Sequence, residues 1–219
     1  MQNNTADKPI IIGVMGTIGS GKTTVSHILE SYGAYIINAD IEARLLMLPS
    51  SPAAVAIHRE FGDGVMLEGT DIVDRKALSQ RVFSDKAELD RLNGIMYPLI
   101  RSEMHTKADI AYRIYGHKLI VFDAPLLIES GLNEGLDHIW LVSADDDVRI
   151  SRIMARDRVS ADAAQARISV RMPDKVLSKY ATKVIENNGS YTKLCDAVRE
   201  AFLSEIGDIN SFADERSST

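Results

Sequence analysis

The run Gly16-Thr17-Ile18-Gly19-Ser20-Gly21-Lys22-Thr23 satisfies the pattern G-x-x-x-x-G-K-[S/T] at every fixed position. Each fixed position has a chemical reason. Glycines let the loop wrap with its amide hydrogens pointing inward, and the helix that follows presents unpaired N-terminal donors. A lysine reaches the β and γ phosphates, and the hydroxyl of Thr23 ligates Mg²⁺. By average composition the pattern arises by accident in a chain of this length with odds on the order of one per cent. A strand-like run, Ile10 to Met15, precedes it and a helix-like run from Thr23 to Ser31 follows, the context the motif requires. The expected ligand is a nucleoside triphosphate with magnesium, held by Gly16, Thr17, Ile18, Gly19, Ser20, Gly21, Lys22, Thr23 and the adjoining Thr24.

Such a loop leaves open whether the phosphoryl group passes to water or to an acceptor. Thr106-Lys107-Ala108-Asp109 matches the short N/T-K-x-D guanine motif. It falls inside a helical stretch ahead of a strand, and no D-x-x-G switch accompanies it. The third strand-like run ends Val121-Phe122-Asp123-Ala124-Pro125, with one carboxylate and no acid beside it. Asp123 reads as an outer-shell magnesium partner or as a turn aspartate. Asp40 follows Tyr35-Ile36-Ile37-Asn38-Ala39, which sets a carboxylate just past the C-terminal end of a strand, the edge where ligands gather in open parallel sheets. A carboxylate there can take the proton of an attacking hydroxyl, and it can equally be an ordinary helix cap. Arg44, one turn on, can share its face and meet an anionic substrate. Arg149, Arg152, Arg156 and Arg158 crowd the segment behind Asp145-Asp146-Asp147, three acids that read as a capped helix start matched to its dipole. Three of the arginines, Arg149, Arg152 and Arg156, can lie on one helical face, either as solvated surface or as a lid supplying charge to a transition state.

The elements that must position these groups alternate. Apolar runs rich in Ile and Val recur at Ile10 to Met15, Tyr35 to Ile37, Leu119 to Phe122, His138 to Val142 and Lys183 to Ile185. Helical segments lie between them, which predicts an α/β fold with a five-stranded parallel sheet and helices on both faces. Ser51-Pro52 reads as the start of a helix stopped near Gly62, Ser160 caps one to about Met172, and Ser190 one ending at Gly207. Pro98 is placed to open a helix toward Gly116. Ser51 to Gly116 carries no strand pattern and is too long for one crossover helix, so it reads as an inserted helical subdomain. Asp145 to Ala181 reads as a second helical excursion, and Asp208 to Thr219 as a frayed polar tail.

Lys and Arg total 25 against 31 Asp and Glu, a formal charge of -6, in 219 residues that are 45% hydrophobic. That composition excludes disorder, and its field repels nucleic-acid backbones and anionic lipid, so a phosphate-bearing partner needs a local constellation. Met1 to Pro9 is polar, and the apolar stretch after it breaks at Gly16, too short for a signal core or a membrane span. The location expected by default is cytoplasmic. Cys195 is the single cysteine, which excludes an internal disulfide and a thiol-rich metal site.

Taken together these residues resemble the dephospho-coenzyme A kinases. The likeness runs through Ile11 to Thr23, Asn38-Ala39-Asp40 with Ala43-Arg44, Pro98-Leu99-Ile100, Asp123-Ala124-Pro125-Leu126-Leu127 with Glu129, Arg152 to Asp157 and Ile185 to Gly189, in order from about Ile10 to Phe202. It implies a P-loop kinase fold and transfer of the ATP γ-phosphoryl group to the ribose 3′-hydroxyl of dephospho-coenzyme A, with Mg²⁺ as cofactor. It further implies Asp40 as base, Lys22 and Arg152 as catalytic charges with Arg152 in a lid over about 145–181, and Asn188 by the adenine. On the acceptor side it implies Arg44, Tyr97, Pro125, Leu126 and Leu127 beside Asp40, with 51–116 as the acceptor-binding subdomain between core segments 1–50 and 117–207. No obligate protein partner, nucleic acid or membrane is implied. Four residues depart from the family: Thr17 for a glycine, Asn38 for an aspartate, Tyr97 for a histidine and Glu186 for an aspartate. On the residues alone a nucleoside or nucleotide kinase, or an ATP-hydrolysing regulator, stands as the alternative.

Overall fold

The computed structural model describes residues 8–170 and 172–212. The apolar runs form five strands, β1 (Ile10–Gly16), β2 (Tyr35–Asn38), β3 (Leu119–Asp123), β4 (His138–Ser143) and β5 (Lys183–Glu186). All pair in parallel, in the order β2-β3-β1-β4-β5. The five-stranded parallel sheet expected from the sequence is therefore present. Side chains alternate across it as the pleat demands. Leu119 and Val121 enter the apolar cluster on one face with Ile12, Val14 and Trp140, whereas Ile120 and Phe122 enter the other with Met15, Ile37 and Leu141. With both faces covered, β3 is buried along its whole length, which is why it reads as an unbroken apolar run.

Helices α1 (Lys22–Ser31) and α9 (Tyr191–Glu205) cover one face. The other carries α2 (Ala39–Leu46) and an insertion built of α3 (Pro52–Phe61), a 3-10 turn at Asp63–Val65, α4 (Arg75–Ser84) and α5 (Lys86–Arg113). Ser51 caps α3 by accepting from the Ala54 N–H, and Gly62 ends it in a left-handed conformation, both as expected. One isolated antiparallel bridge, Met66 to Val73, interrupts the helical insertion.

Pro98 does not open a helix. It lies inside α5, whose start is capped by Asp85, accepting from the Ala87 N–H. A buried stripe of Met96, Ile100, Met104, Ala108 and Ala111 holds α5 against the core. Burial of that stripe outweighs the one hydrogen bond the proline removes.

Between β4 and β5 run α6 (Asp146–Asp157), α7 (Ala161–Ser169) and α8 (Asp174–Leu177). Ser160 caps α7, which ends at Ser169, short of Met172. Asp145 precedes α6 without a side-chain cap bond, whereas Asp146 and Asp147 lie in the first turn, where their charge suits the helix dipole, and Asp146 pairs with Arg149. The polar tail begins later than expected. Ile209–Ser211 form a 3-10 turn capped by Asp208, and Phe212 packs edge-on to Phe202 with ring centroids 5.7 Å apart. An aromatic at position 212 supplies the apolar contact that the surrounding polar residues hide. Positions 213–219 and 1–7 lie outside the described residues.

Candidate active site

β1 ends at Gly16, and its C-terminal edge opens a cleft of about 670 Å³. The loop Gly16 to Thr23 forms its floor, tightened by a Ser20 N–H to Thr17 C=O bond of 3.1 Å. Two glycines are required by geometry. Gly19 has φ +82°, and a Cβ there would stand 3.0 Å from the Arg149 carbonyl oxygen. Gly21 precedes α1 with φ +97°, where a Cβ would meet the Asn187 side-chain nitrogen at 2.2 Å. Thr23 and Thr24 line the cleft from the first turn of α1, while Ser20 is fully buried beneath it.

Lys22, the first residue of α1, points back into the cleft and forms an ion pair with Asp123 at the end of β3. Burial pushes its ammonium down to about 8, while the negative charge of Asp40 pulls the other way. Ser26, one turn along α1, donates to the second oxygen of Asp123 at 2.9 Å. The donor set fits Mg²⁺, a cation that takes hard oxygen ligands: Thr23, which lines the cleft, carries a hydroxyl that would be available to it. Asp123, engaged by Lys22 and Ser26, suits an outer-shell role. Among the described residues no cluster of three or more His, Cys, Asp or Glu exists that would hold a metal without substrate.

Asp40 lines the same cleft and is exposed. It is not the helix cap. Asn38 caps α2, its Oδ1 accepting from the Asp40 N–H at 3.0 Å and the Ile41 N–H at 3.1 Å. The carboxylate of Asp40 is thus left to face the phosphate loop, and asparagine at 38 does the capping as well as aspartate does. Arg44 is exposed one turn further on α2 but does not line the cleft.

The three arginines of α6 divide their work. Arg149 is buried, 5% exposed, and donates to the Ile18 carbonyl at 3.1 Å, so it braces the loop from outside and cannot face a triphosphate. Arg152 lines the cleft and donates to the Gly19 and Ser20 carbonyls at 3.2 and 3.3 Å and to the Asn187 carbonyl at 2.9 Å. Arg156 also lines the cleft, paired with Asp157.

Asn188 stands apart from the cleft lining, its side-chain oxygen accepting the Asp145 N–H at 2.7 Å. Its neighbour Asn187, which the sequence reading did not single out, is buried and donates to the Ser20 carbonyl at 2.7 Å. Of Pro125-Leu126-Leu127, Pro125 lines the cleft, Leu126 is half-buried, and Leu127 is fully buried in the core under Gly13. Leu127 therefore supports the wall from behind and does not touch a ligand. Tyr97 is half-buried on α5, outside the lining. Five cleft residues had no role in the sequence reading of the site: Asn38, Glu129, Ile153, Met172 and Leu177. For the last two the only signal was an apolar residue on either side of a short polar turn.

A family model described as dephospho-CoA kinase matches residues 10–193. A dephospho-CoA kinase from Geobacter sulfurreducens is 37% identical over 196 residues, 90% of this chain and 98% of that one. One from Symbiobacterium thermophilum is 36% identical over 197 residues, 90% of this chain and 82% of the other. The solved dephospho-CoA kinase from Campylobacter jejuni superposes with a TM-score of 0.66 at 26% identity, covering 90% of this chain and 98% of that one. On these matches, with the P-loop and the α2 carboxylate opening onto one cleft, the chain belongs to the dephospho-CoA kinase family.

Proposed function

We propose that this protein transfers the γ-phosphoryl group of ATP to the ribose 3′-hydroxyl of dephospho-coenzyme A, giving coenzyme A and ADP. The observation that carries the reading is the shared cleft of Asp40 and the phosphate loop. A hydroxyl seated between them forms a new O–P bond as the bond from the γ-phosphorus to the β,γ-bridging oxygen breaks, and its proton passes to Asp40. Lys22 and Arg152 sit where charge develops on the transferring group and on the leaving ADP, and preorganised charge of this kind is the main device for a loose phosphoryl-transfer transition state. Mg²⁺, held through Thr23 and steadied by Asp123, supplies further neutralisation of the phosphate oxygens when bound.

We assign acceptor binding to the helical insertion 51–116 together with the Pro125 wall, and closure over ATP to 145–181. The core is then 1–50 with 117–207. No helix among the described residues is long and apolar enough to cross a membrane, in keeping with a cytoplasmic enzyme acting on two water-soluble nucleotides. A coupled ADP assay over an acceptor panel tests the reading. ADP release is expected to need Mg²⁺ and to run far faster with dephospho-coenzyme A than with water, AMP, CMP, shikimate or pantothenate. A nucleoside monophosphate that outruns dephospho-coenzyme A would refute the acceptor assignment, and turnover that no acceptor stimulates would refute the kinase.

A further inference from the structure

Asp174, the first residue of α8, has both carboxylate oxygens occupied by hydroxyls from other elements. The Thr17 hydroxyl donates to one at 2.9 Å, and the Ser143 hydroxyl at the end of β4 donates to the other at 2.5 Å. Thr17 belongs to the phosphate loop, yet its side-chain oxygen is committed to this contact and it is 8% exposed. One carboxylate thus ties the loop, the sheet and the segment 172–177 together.

That segment borders the cleft. Met172 and Leu177, on either side of Asp174, both line it, and both join the apolar cluster that also holds the insertion residues Met96, Ile100 and Met104. Leu177 is buried in the apolar cluster that includes Leu127 and Leu141, and Met172 packs against that cluster. The segment is therefore held at two points, by an apolar anchor in the core and a polar anchor at the phosphate loop. Behind it lies a second cavity of about 420 Å³, which Thr17, Ser143, Met172 and Asp174 also line. Without the polar anchor the segment has room to retreat into that cavity, and the cleft wall would move with it.

We propose that Asp174 is a positioning residue: through Thr17 and Ser143 it holds the strap 172–177 in place, and so sets the wall of Met172 and Leu177 against which the acceptor docks. The acceptor half of this inference rests on the kinase reading above; the anchoring half does not. A glycine at position 17 makes no such contact, so the anchor belongs to this chain's threonine.

Two measurements test it. In the first, Asp174→Ala, Ser143→Ala and the double variant are compared with the parent for acceptor KM, ATP KM and Tm. Each single change is expected to raise the acceptor KM about three- to tenfold, more than the ATP KM, with the double variant no worse than Asp174→Ala because both act through one carboxylate. Thr17→Val should show the same bias toward the acceptor KM, and Thr17→Ser, which keeps the donor, should recover most of it. Unchanged acceptor KM, additive effects, or a larger rise in ATP KM would each overturn the proposal. A lower Tm with KM unmoved would make the contact merely structural and overturn it too.

The second measurement needs no substrate. Hydrogen exchange of the ligand-free protein reads the amides of Val176, Leu177 and Ser178, which bond to Pro173 and Asp174 carbonyls. Thr17→Val is expected to accelerate their exchange at least tenfold over Thr17→Ser. Equal protection in the two variants sinks the proposal, whatever the acceptor proves to be. A parent that ignores dephospho-coenzyme A while Thr17→Val loosens the strap would instead sink the acceptor assignment alone.

Discussion

Replacing Asp40 by asparagine separates catalysis from folding in this site more cleanly than any other single change. The capping work at the start of α2 belongs to Asn38, whose Oδ1 takes two backbone N–H groups. Asp40 contributes to folding by attracting the buried Lys22 and as an exposed negative charge in the first turn, the latter worth about 0.3–1 kcal/mol against the helix dipole. For a chain of this size that is a fall in Tm of roughly 1–4 °C. The catalytic loss is larger. Asparagine cannot take up the acceptor proton, and general-base removal costs ~10²- to 10⁴-fold, with a loose transition state favouring the lower end. A hundredfold loss is about 2.7 kcal/mol of transition-state stabilisation.

One coupling has to be kept out of the measurement. The charge of Asp40 helps keep Lys22 protonated, so its removal lowers the Lys22 pKa further below about 8. At pH 8 part of the lost activity would belong to a neutral lysine. At about pH 6.5 the ammonium stays charged in both proteins. Coupled ADP release at that pH, with Tm by calorimetry, should then show kcat down at least about a hundredfold with ATP KM nearly retained. Asn38→Ala supplies the converse, losing about 1 kcal/mol of cap energy, or roughly 2–4 °C, with a far smaller loss of kcat. A folded Asp40→Asn protein within a few-fold of the parent kcat at pH 6.5 would refute the assignment of Asp40 as base.

Lys22 also sets a pH limb. With its pKa depressed from 10.5 to about 8, the ammonium is lost as pH rises through 8, so kcat/KM for ATP should fall above that pH, and Lys22→Arg, which stays charged, should lack the limb. The linkage runs the other way for stability: between pH 8 and 10.5 the unfolded chain binds the extra proton, so the ligand-free parent should gain up to about 3 kcal/mol on Lys22→Met across that window. A flat difference in urea titrations would contradict the burial of the charge. Arg152→Ala should weaken ADP binding as well as turnover, by about ten- to a hundredfold in Kd, because its guanidinium joins two loop carbonyls to Asn187; an unchanged Kd by calorimetry would confine it to the transferring phosphoryl. At the opposite end of the sheet, Glu205 accepts the buried Trp140 N–H at 2.7 Å and the Thr182 hydroxyl at 3.0 Å. Glu205→Leu should cost about 1–3 kcal/mol and leave kcat near the parent value; an unaltered Tm would mean that the indole N–H finds another partner.

The strands and caps were legible because each rests on a local rule. Five Ile- and Val-rich runs became five strands, and Ser51, Ser160 and Ser190 each cap the helix expected of them. Pro98 misled for a related reason: a proline reads as a helix start locally, and only the buried stripe of α5 across the core keeps the helix running through it. Within the site, the loop shows in the sequence as a local motif, whereas the contacts that its Gly19, Gly21 and Lys22 make with Arg149, Asn187 and Asp123 come from distant segments. The α6 arginines could not be told apart by helical spacing. Their separation into an external brace at Arg149 and a cleft residue at Arg152 depends on which loop carbonyl each meets. Asp174 gave no signal, because its partners Thr17 and Ser143 are distant in sequence and become neighbours only when the sheet is assembled.

The choice of donors explains how a chain with a net charge of -6 can hold a triphosphate. The cations that line the cleft are Lys22, Arg152 and Arg156, and acids are present beside them at Asp40 and Glu129. Formal charge alone would leave little surplus for a polyanion. The remainder must come from the main chain: the loop amides and the open N-terminus of α1, whose first turn holds no acid, unlike those of α2 and α6. Amide donors carry partial charge in a fixed orientation, so they favour phosphate without making the rest of the surface basic. They also shift the sequence constraint from side chains to backbone. Gly19 and Gly21 must keep φ near +80° to +100° and make room for Arg149 and Asn187, whereas Thr17 offers its amide whatever its side chain does. That freedom is what lets the threonine hydroxyl turn away from the phosphates and hold Asp174.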